Sequence, residues 1–182
     1  AGDNAYQPAV DAMKAQGLHV TGTTQPRAAG FLSGLSTNIL FGMRFKGDAW
    51  RKLRDTQVAG RLALIQDPFF RERLVEEAKV MEIADHVGQM MGSSKYALPC
   101  RKTFWMGVEE RPDYAQPPEE SLSGLAAKAS EHPAETWLRL QLESNGEGLF
   151  HVRFVNEDLR VLPRFLGSDW VVPGVGDAGA HV

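Results

Sequence analysis

The sequence predicts a mainly α-helical α/β chain with a few short strands, and three observations carry that prediction. Two segments, near 18–24 and 170–175, are rich in β-branched residues and flanked by glycine and proline, the character of strands in βα repeats. Residues 25–169 lie between them, and most of that stretch has helical spacing. Ordinary βα connections are far shorter than this. Two architectures follow: a small helical domain inserted between two strands of a barrel, or an independent helical domain. Closing a βα barrel takes eight strands, which this 182-residue chain does not supply alone.

The elements follow in order. Pro8 to Gln16 reads as the end of a helix, with Ala9, Val10, Ala12 and Met13 apolar and Gly17 as its stop. Leu18 to Thr24 alternates as a strand, and Pro26 closes it. Phe31, Leu32, Leu35, Ile39 and Leu40 are spaced for one or two short apolar helices broken by Gly34 and Gly42. Trp50, Leu53 and Arg54 mark a short amphipathic helix, and Asp55 or Thr56 is the expected cap of a helix from Val58 to Ile65. Asp67-Pro68 is a strong helix start, with Asp at the N-cap and Pro at the first helical position; that helix is expected to run to about Ala84. Lys102 to Val108 reads as a strand and Arg111 to Pro118 as a Pro-rich loop. Helices are expected over Glu119 to Ala129 and Pro133 to Glu143, the latter with Trp137, Leu138 and Leu142 inward. A loop over Ser144 to Gly148 leads to a strand from Leu149 to Val155, and Asn156 can cap a helix reaching Phe165.

Composition excludes several function classes. A net charge of -3 and a pI near 6.0 leave no electrostatic footprint for nucleic acid or anionic membrane. No apolar run approaches the roughly 20 residues that span a bilayer. Ala1 to Asn4 show neither a basic nor an apolar leader segment. The single cysteine, Cys100, forbids an intrachain disulfide and CxxC metal patterns, so a reducing cytoplasm is the plain expectation; a disulfide-free periplasmic protein has the same usage.

The chemistry concentrates at the end of the chain. Val171, Val172 and Val175 suit a parallel strand, and Gly174, Gly176 and Gly179 permit tight turning around Asp177. An acid at the carboxyl end of such a strand stands where α/β folds hold their chemistry, able to bind a cation or move a proton. His181, four residues on, is a metal ligand or a substrate-orienting group. The plainer alternative makes Asp177 a helix cap and His181 a surface residue. Gln25-Pro26-Arg27 closes the other βα strand, and Arg27 is either a bidentate clamp for a substrate carboxylate or a solvated loop cation. His19, His86, His132 and His151 form no HxH or HExxH pair, so no complete metal site can be assembled from them. Trp50, Trp105, Trp137 and Trp170 read as packing residues, and Ser33 lacks the GxSxG context of a hydrolase nucleophile.

Gly176 to Val182, read as GDAGAHV, resembles the DAGAH or DGGAH signature of the N-acyl-D-amino-acid deacylases, a family of the amidohydrolase superfamily. Val20-Thr21 through Arg27 with Gly30 resembles the strand-seven segment of that family. Pro118 to Leu122 resembles the start of its SIAEIA-type helix, and Asn156-Glu157-Asp158 also matches. The resemblance covers most of the chain, and the terminal motif is its most specific part.

The resemblance implies a metal-dependent (β/α)8 barrel with a large helical insertion between its last two strands. On that pattern 1–30 is partial barrel (a helix and strand seven), 31–168 the mostly helical insertion or lid, and 169–182 the last strand with Asp177. Zinc activates a water in such enzymes; Asp177 takes the part of metal-site acid, general base and then proton donor, with Arg27 and His181 on the substrate. Arg27 stands where many relatives have an aromatic residue. The metal ligands from earlier strands would precede Ala1 and a substrate-binding segment would follow Val182, so the chain reads as a piece cut just after a catalytic acid. The resemblance implies an N-acyl amino acid as substrate for the parent, no nucleic-acid or membrane partner, and neither zinc binding nor turnover by the chain alone. Two other readings stand beside it: a non-catalytic helical binding domain, and a degenerate barrel that self-associates through exposed strand edges at 18–24 and 170–175.

Overall fold

A computed structural model describes residues 6–39, 47–80, 82–83, 97–155, 160 and 162–174. The chain is mainly helical with short strands and divides into two compact units, residues 1–29 with 155–182 and residues 30–154. The chain re-enters the first unit at Val155, fourteen positions before the expected break at 169. Among the described residues no helix is long and apolar enough to cross a membrane.

In the first unit, helix α1 (Gln7–Ala15) ends at Gln16, and Gly17 takes the left-handed φ of 77° that stops it, as its sequence predicts. Strand β1 is only Gly22–Thr24, the last three residues of the expected strand. The chain then crosses into the second unit with β2 (Ala29–Ser33), where helix was expected. A five-residue apolar run cannot be assigned by periodicity alone, and here it is taken up as a sheet neighbour by a strand far along the sequence.

In the second unit, helix α2 (Asp48–Asp55) buries Trp50 and Leu53. Its start is capped from another helix: the Glu77 carboxylate accepts from the backbone N–H groups of Ala49 and Trp50, at 3.0 and 3.3 Å. Helix α3 (Val58–Gln66) begins after Gln57 without a side-chain cap, so neither Asp55 nor Thr56 serves it. The Thr56 hydroxyl instead donates back to the Lys52 carbonyl at 2.6 Å, closing α2, and Arg61 donates to the carbonyls of Arg54 and Thr56. Helix α4 (Pro68–Lys79) starts as predicted, with the Asp67 side chain accepting from Phe69 N–H at 3.0 Å. It stops at Lys79 rather than near Ala84, because β3 (Glu82–Ile83) is drawn into a parallel ladder with β4 (Ala97–Leu98). Tertiary pairing overrides local helical spacing there.

Strand β5 (Thr103–Gly107) follows a 3-10 turn over Cys100–Lys102. Helix α5 (Leu122–Ala129) is shorter than expected: Pro118–Glu120 form a 3-10 turn, and Ser121 caps the helix by accepting from Gly124 N–H. Helix α6 (Pro133–Glu143) and strand β6 (Leu149–Val155) match their expected bounds. Strand order in the central sheet is β2-β6-β5, with β5 and β6 antiparallel and an irregularity between Trp105 and Gly107. Helix α7 (Leu162–Leu166) and strand β7 (Val171–Pro173) return to the first unit. Asn156 lies outside the described residues.

The core of the second unit gathers around Trp50, Trp137 and Phe150, all fully buried. Trp50 meets Trp137 edge to face at 5.9 Å, Trp137 stacks over Phe150 at 6.2 Å, and the Trp50 indole N–H donates to the Leu74 carbonyl at 2.8 Å. Gln141, equally buried, accepts from Leu35 N–H and donates to the Gly148 carbonyl, tying the end of β2 and the start of β6 to α6.

Candidate functional site

The site of interest forms at the carboxyl ends of β1 and β7. The two strands pair in parallel, Gly22 opposite Val171, Thr23 opposite Val172 and Thr24 opposite Pro173. The Gly174 N–H donates to the Thr24 carbonyl at 2.8 Å, extending the pairing one step past the strands. The backbone therefore leaves both strands at the same end. From β1 it bends through Pro26 and Arg27; Arg27 is exposed just beyond the strand. From β7 it continues toward Asp177 and His181, which lie outside the described residues.

A compact bed holds the pair in place. Val10 of α1, Trp170 and Val171 are buried together, with Val20, Phe165 and Leu166 packed on them. The Trp170 ring meets Phe165 edge-on at 5.7 Å, its carbonyl accepts from Gly22 N–H at 2.7 Å, and its indole N–H donates to the Gln7 amide oxygen at 2.9 Å. A Cβ on Gly22 would come within 2.7 Å of the Trp170 ring, so only glycine allows this strand to lie against the indole. Lys14 pairs with Asp169 at 2.8 Å on the surface. Trp170 thus acts within its own unit.

The other sequence candidates fall elsewhere. His19 is exposed, His86 lies outside the described residues, and His151 is buried in the central sheet beside Tyr114. His132 is the N-cap of α6, as its position suggests: its Nδ1 accepts from Ala134 N–H at 3.2 Å, while Glu135 accepts from the His132 N–H. Burial lowers the His132 pKa from its ordinary value, opposed by the Glu135 charge and aided by Lys79, so the neutral ring that caps the helix is favoured. Cys100 is fully buried, and burial pushes its thiol far above the range where a nucleophilic thiolate exists. The Ser33 hydroxyl is buried without a hydrogen-bond partner. Among the described residues no group of three or more His, Cys, Asp and Glu side chains could hold a metal ion.

One residue the sequence reading missed is Arg153. It lies 2% exposed, with its guanidinium 3.6 Å from the Phe104 ring centroid. Its two Nη groups donate to the Gln116 carbonyl at 3.2 Å and the Gln116 side-chain oxygen at 2.9 Å, while Nε has no partner. Burial lowers its pKa, and the Asp113 charge partly offsets that. In sequence Leu149, His151 and Arg153 alternate with Phe150 and Val152 and look like the wet face of a strand; the Pro-rich loop over 111–118 covers that face instead. The length and proline content of that loop were the only available signal.

No family model, no curated protein and no solved structure matches this chain.

Proposed function

We propose that the chain is part of a metal-dependent amidohydrolase that hydrolyses the amide of N-acyl-D-amino acids or related amides, with Asp177 moving the proton. The parallel register of β1 with β7 carries this reading. Two strands separated by residues 25–170 of sequence pair directly, as neighbouring strands of a βα sheet with a domain inserted between them do. Ligands in such sheets bind outside the carboxyl ends of the strands, the end from which Gln25 to Arg27 and the Asp177 segment both depart.

In this reading the Asp177 carboxylate accepts a proton from the attacking water, whose oxygen bonds to the amide carbon. The proton then passes to the leaving nitrogen as the C–N bond breaks, and the carboxylate is restored. Arg27 supplies a cation for the substrate's carboxylate, and His181 a polar group beside it. Zinc comes with the resemblance and not from the described residues, and the step given to Asp177 here is the proton transfer.

Zinc content and turnover of N-acetyl-D-amino acids, measured on this chain and on the protein with the preceding strands supplied, test the reading. The chain alone is expected to show neither and the longer protein both, with Asp177→Asn lowering kcat by roughly 10²- to 10⁴-fold at unchanged zinc content. Full turnover by Asp177→Asn would sink the assignment.

A second reading is self-association through the strand edges. Among the described residues β1 and β7 form a sheet of two strands with Val172 44% exposed, whereas parallel sheets are normally covered. Light scattering on the purified chain decides it: a monomeric mass at all concentrations removes this reading.

A further inference from the structure

A buried cation in the second unit has only neutral partners. Among the described residues no carboxylate lies within ion-pair distance of Arg153, and both oxygens that satisfy its Nη groups belong to Gln116. The guanidinium fork is built to take two oxygens of one carboxylate. Here one amide side chain and its own backbone carbonyl occupy those two places without supplying the negative charge. The Phe104 face under the guanidinium and the charge of Asp113 offset part of its desolvation, and burial still dominates.

The surroundings indicate what that anion carries. Arg153, His151 and Leu149 share one face of β6, and Phe104 lies opposite His151 on β5. At the Leu149 end, a cleft of about 280 Å³ opens between Leu32, Met106, Leu149 and Tyr114, with Glu109 and Glu147 also on its wall. Tyr114 also packs edge-on against His151 at 5.8 Å, so one row of side chains links the cleft to the buried cation. Four residues of strand separate Leu149 from Arg153, about 13 Å. The loop bearing Tyr114 and Gln116 covers the row, held by hydrogen bonds from Gln116 to Trp105 and from Arg153 to Gln116.

We propose that Arg153 is the anchor of a binding site for a carboxylate with an apolar tail, and that Gln116 is a neutral placeholder that the ligand's carboxylate displaces. The tail lies along Tyr114 and His151 toward the Leu32–Met106 cleft. The site belongs to the second unit and is independent of the role given to Asp177.

Calorimetric titration of the full chain with sodium octanoate, sodium acetate and octylamine tests this. Wild type is expected to bind octanoate saturably, acetate far more weakly and octylamine not at all. Gln116→Ala removes the competitor and should tighten octanoate binding about tenfold, the worth of one charge-assisted hydrogen bond. Gln116→Glu places a permanent carboxylate on Arg153 and should abolish binding while raising the unfolding temperature. Leu32→Asp, at a 43% exposed position where folding tolerates a charge, should weaken binding of the longer dodecanoate, whose tail reaches the cleft, and leave acetate unchanged. Absence of saturable octanoate binding to both wild type and Gln116→Ala would overturn the proposal. Equal binding of octanoate and octylamine, or wild-type octanoate binding by Gln116→Glu, would do the same.

Discussion

The second unit closes around a large apolar cluster, with Trp50, Trp137, Phe150, Leu53, Leu74 and Ile65 all fully removed from water. The first unit rests on Val10, Trp170 and Val171, beneath a two-stranded parallel pair. Among the described residues it buries fewer large apolar side chains, and apolar burial is the dominant favourable term in folding. The chain thus separates what stabilises it from what the sequence marks as chemical. The second unit has the core of an autonomous fold, whereas the described part of the first is a parallel strand pair on a small apolar cluster.

That contrast can be broken most forcefully at Trp137. Trp137→Ala should cost about 3–5 kcal/mol and unfold the second unit at far lower urea, read from the fluorescence of the remaining tryptophans. A loss below about 1 kcal/mol would mean that the cluster is not its stabilising centre.

Gln141→Leu keeps the volume but strands the Leu35 N–H and the Gly148 carbonyl in the interior, and should cost about 2–4 kcal/mol in the same melt. Trp170→Ala probes the other unit. Hydrogen exchange at 22–24 and 171–173 should accelerate by several orders of magnitude while amides of 149–155 keep their protection. Equal acceleration in both sets would show that the units do not unfold separately.

His132 gives a pH signature confined to the second unit. The folded state depresses its pKa below the unfolded value of about 6.5, so the unfolded chain binds more protons as pH falls through that value. Stability contributed by the neutral cap is therefore present above pH of about 6.5 and is lost as pH falls toward the folded pKa. His132→Asn, which caps without titrating, should remove that acid-side slope, and His132→Ala should cost about 1 kcal/mol at neutral pH. The smallest effect is expected at Lys14→Ala, whose partner Asp169 is exposed; a change under about 1 kcal/mol, shrinking in salt, is the prediction.

The sequence was most legible where local chemistry and tertiary structure agree. Asp67-Pro68, Gly17 and His132-Pro133 announce helix ends because caps and φ preferences act within a few residues. Strand β6 was legible because Phe150 and Val152 alternate against a buried face. It was least legible over 29–33 and 82–83, where a strand partner elsewhere in the chain outweighs short-range spacing. For the candidate site, β1 and the strand that leads to Asp177 could be read from glycine and proline placement, while their being neighbours was implied only by the family resemblance.

The sequence by itself determined most of the helices and strands, the caps at Asp67 and His132, the lack of a disulfide within the chain and the acid-and-histidine motif at 177–181. Only the tertiary structure decided that β1 and β7 lie side by side in parallel, that Gly22 yields room to Trp170, and that Arg153 is buried with a neutral partner. The reason is physical. Caps and periodicity are set by neighbours a few bonds away, whereas strand pairing and burial depend on which distant segments exclude water together.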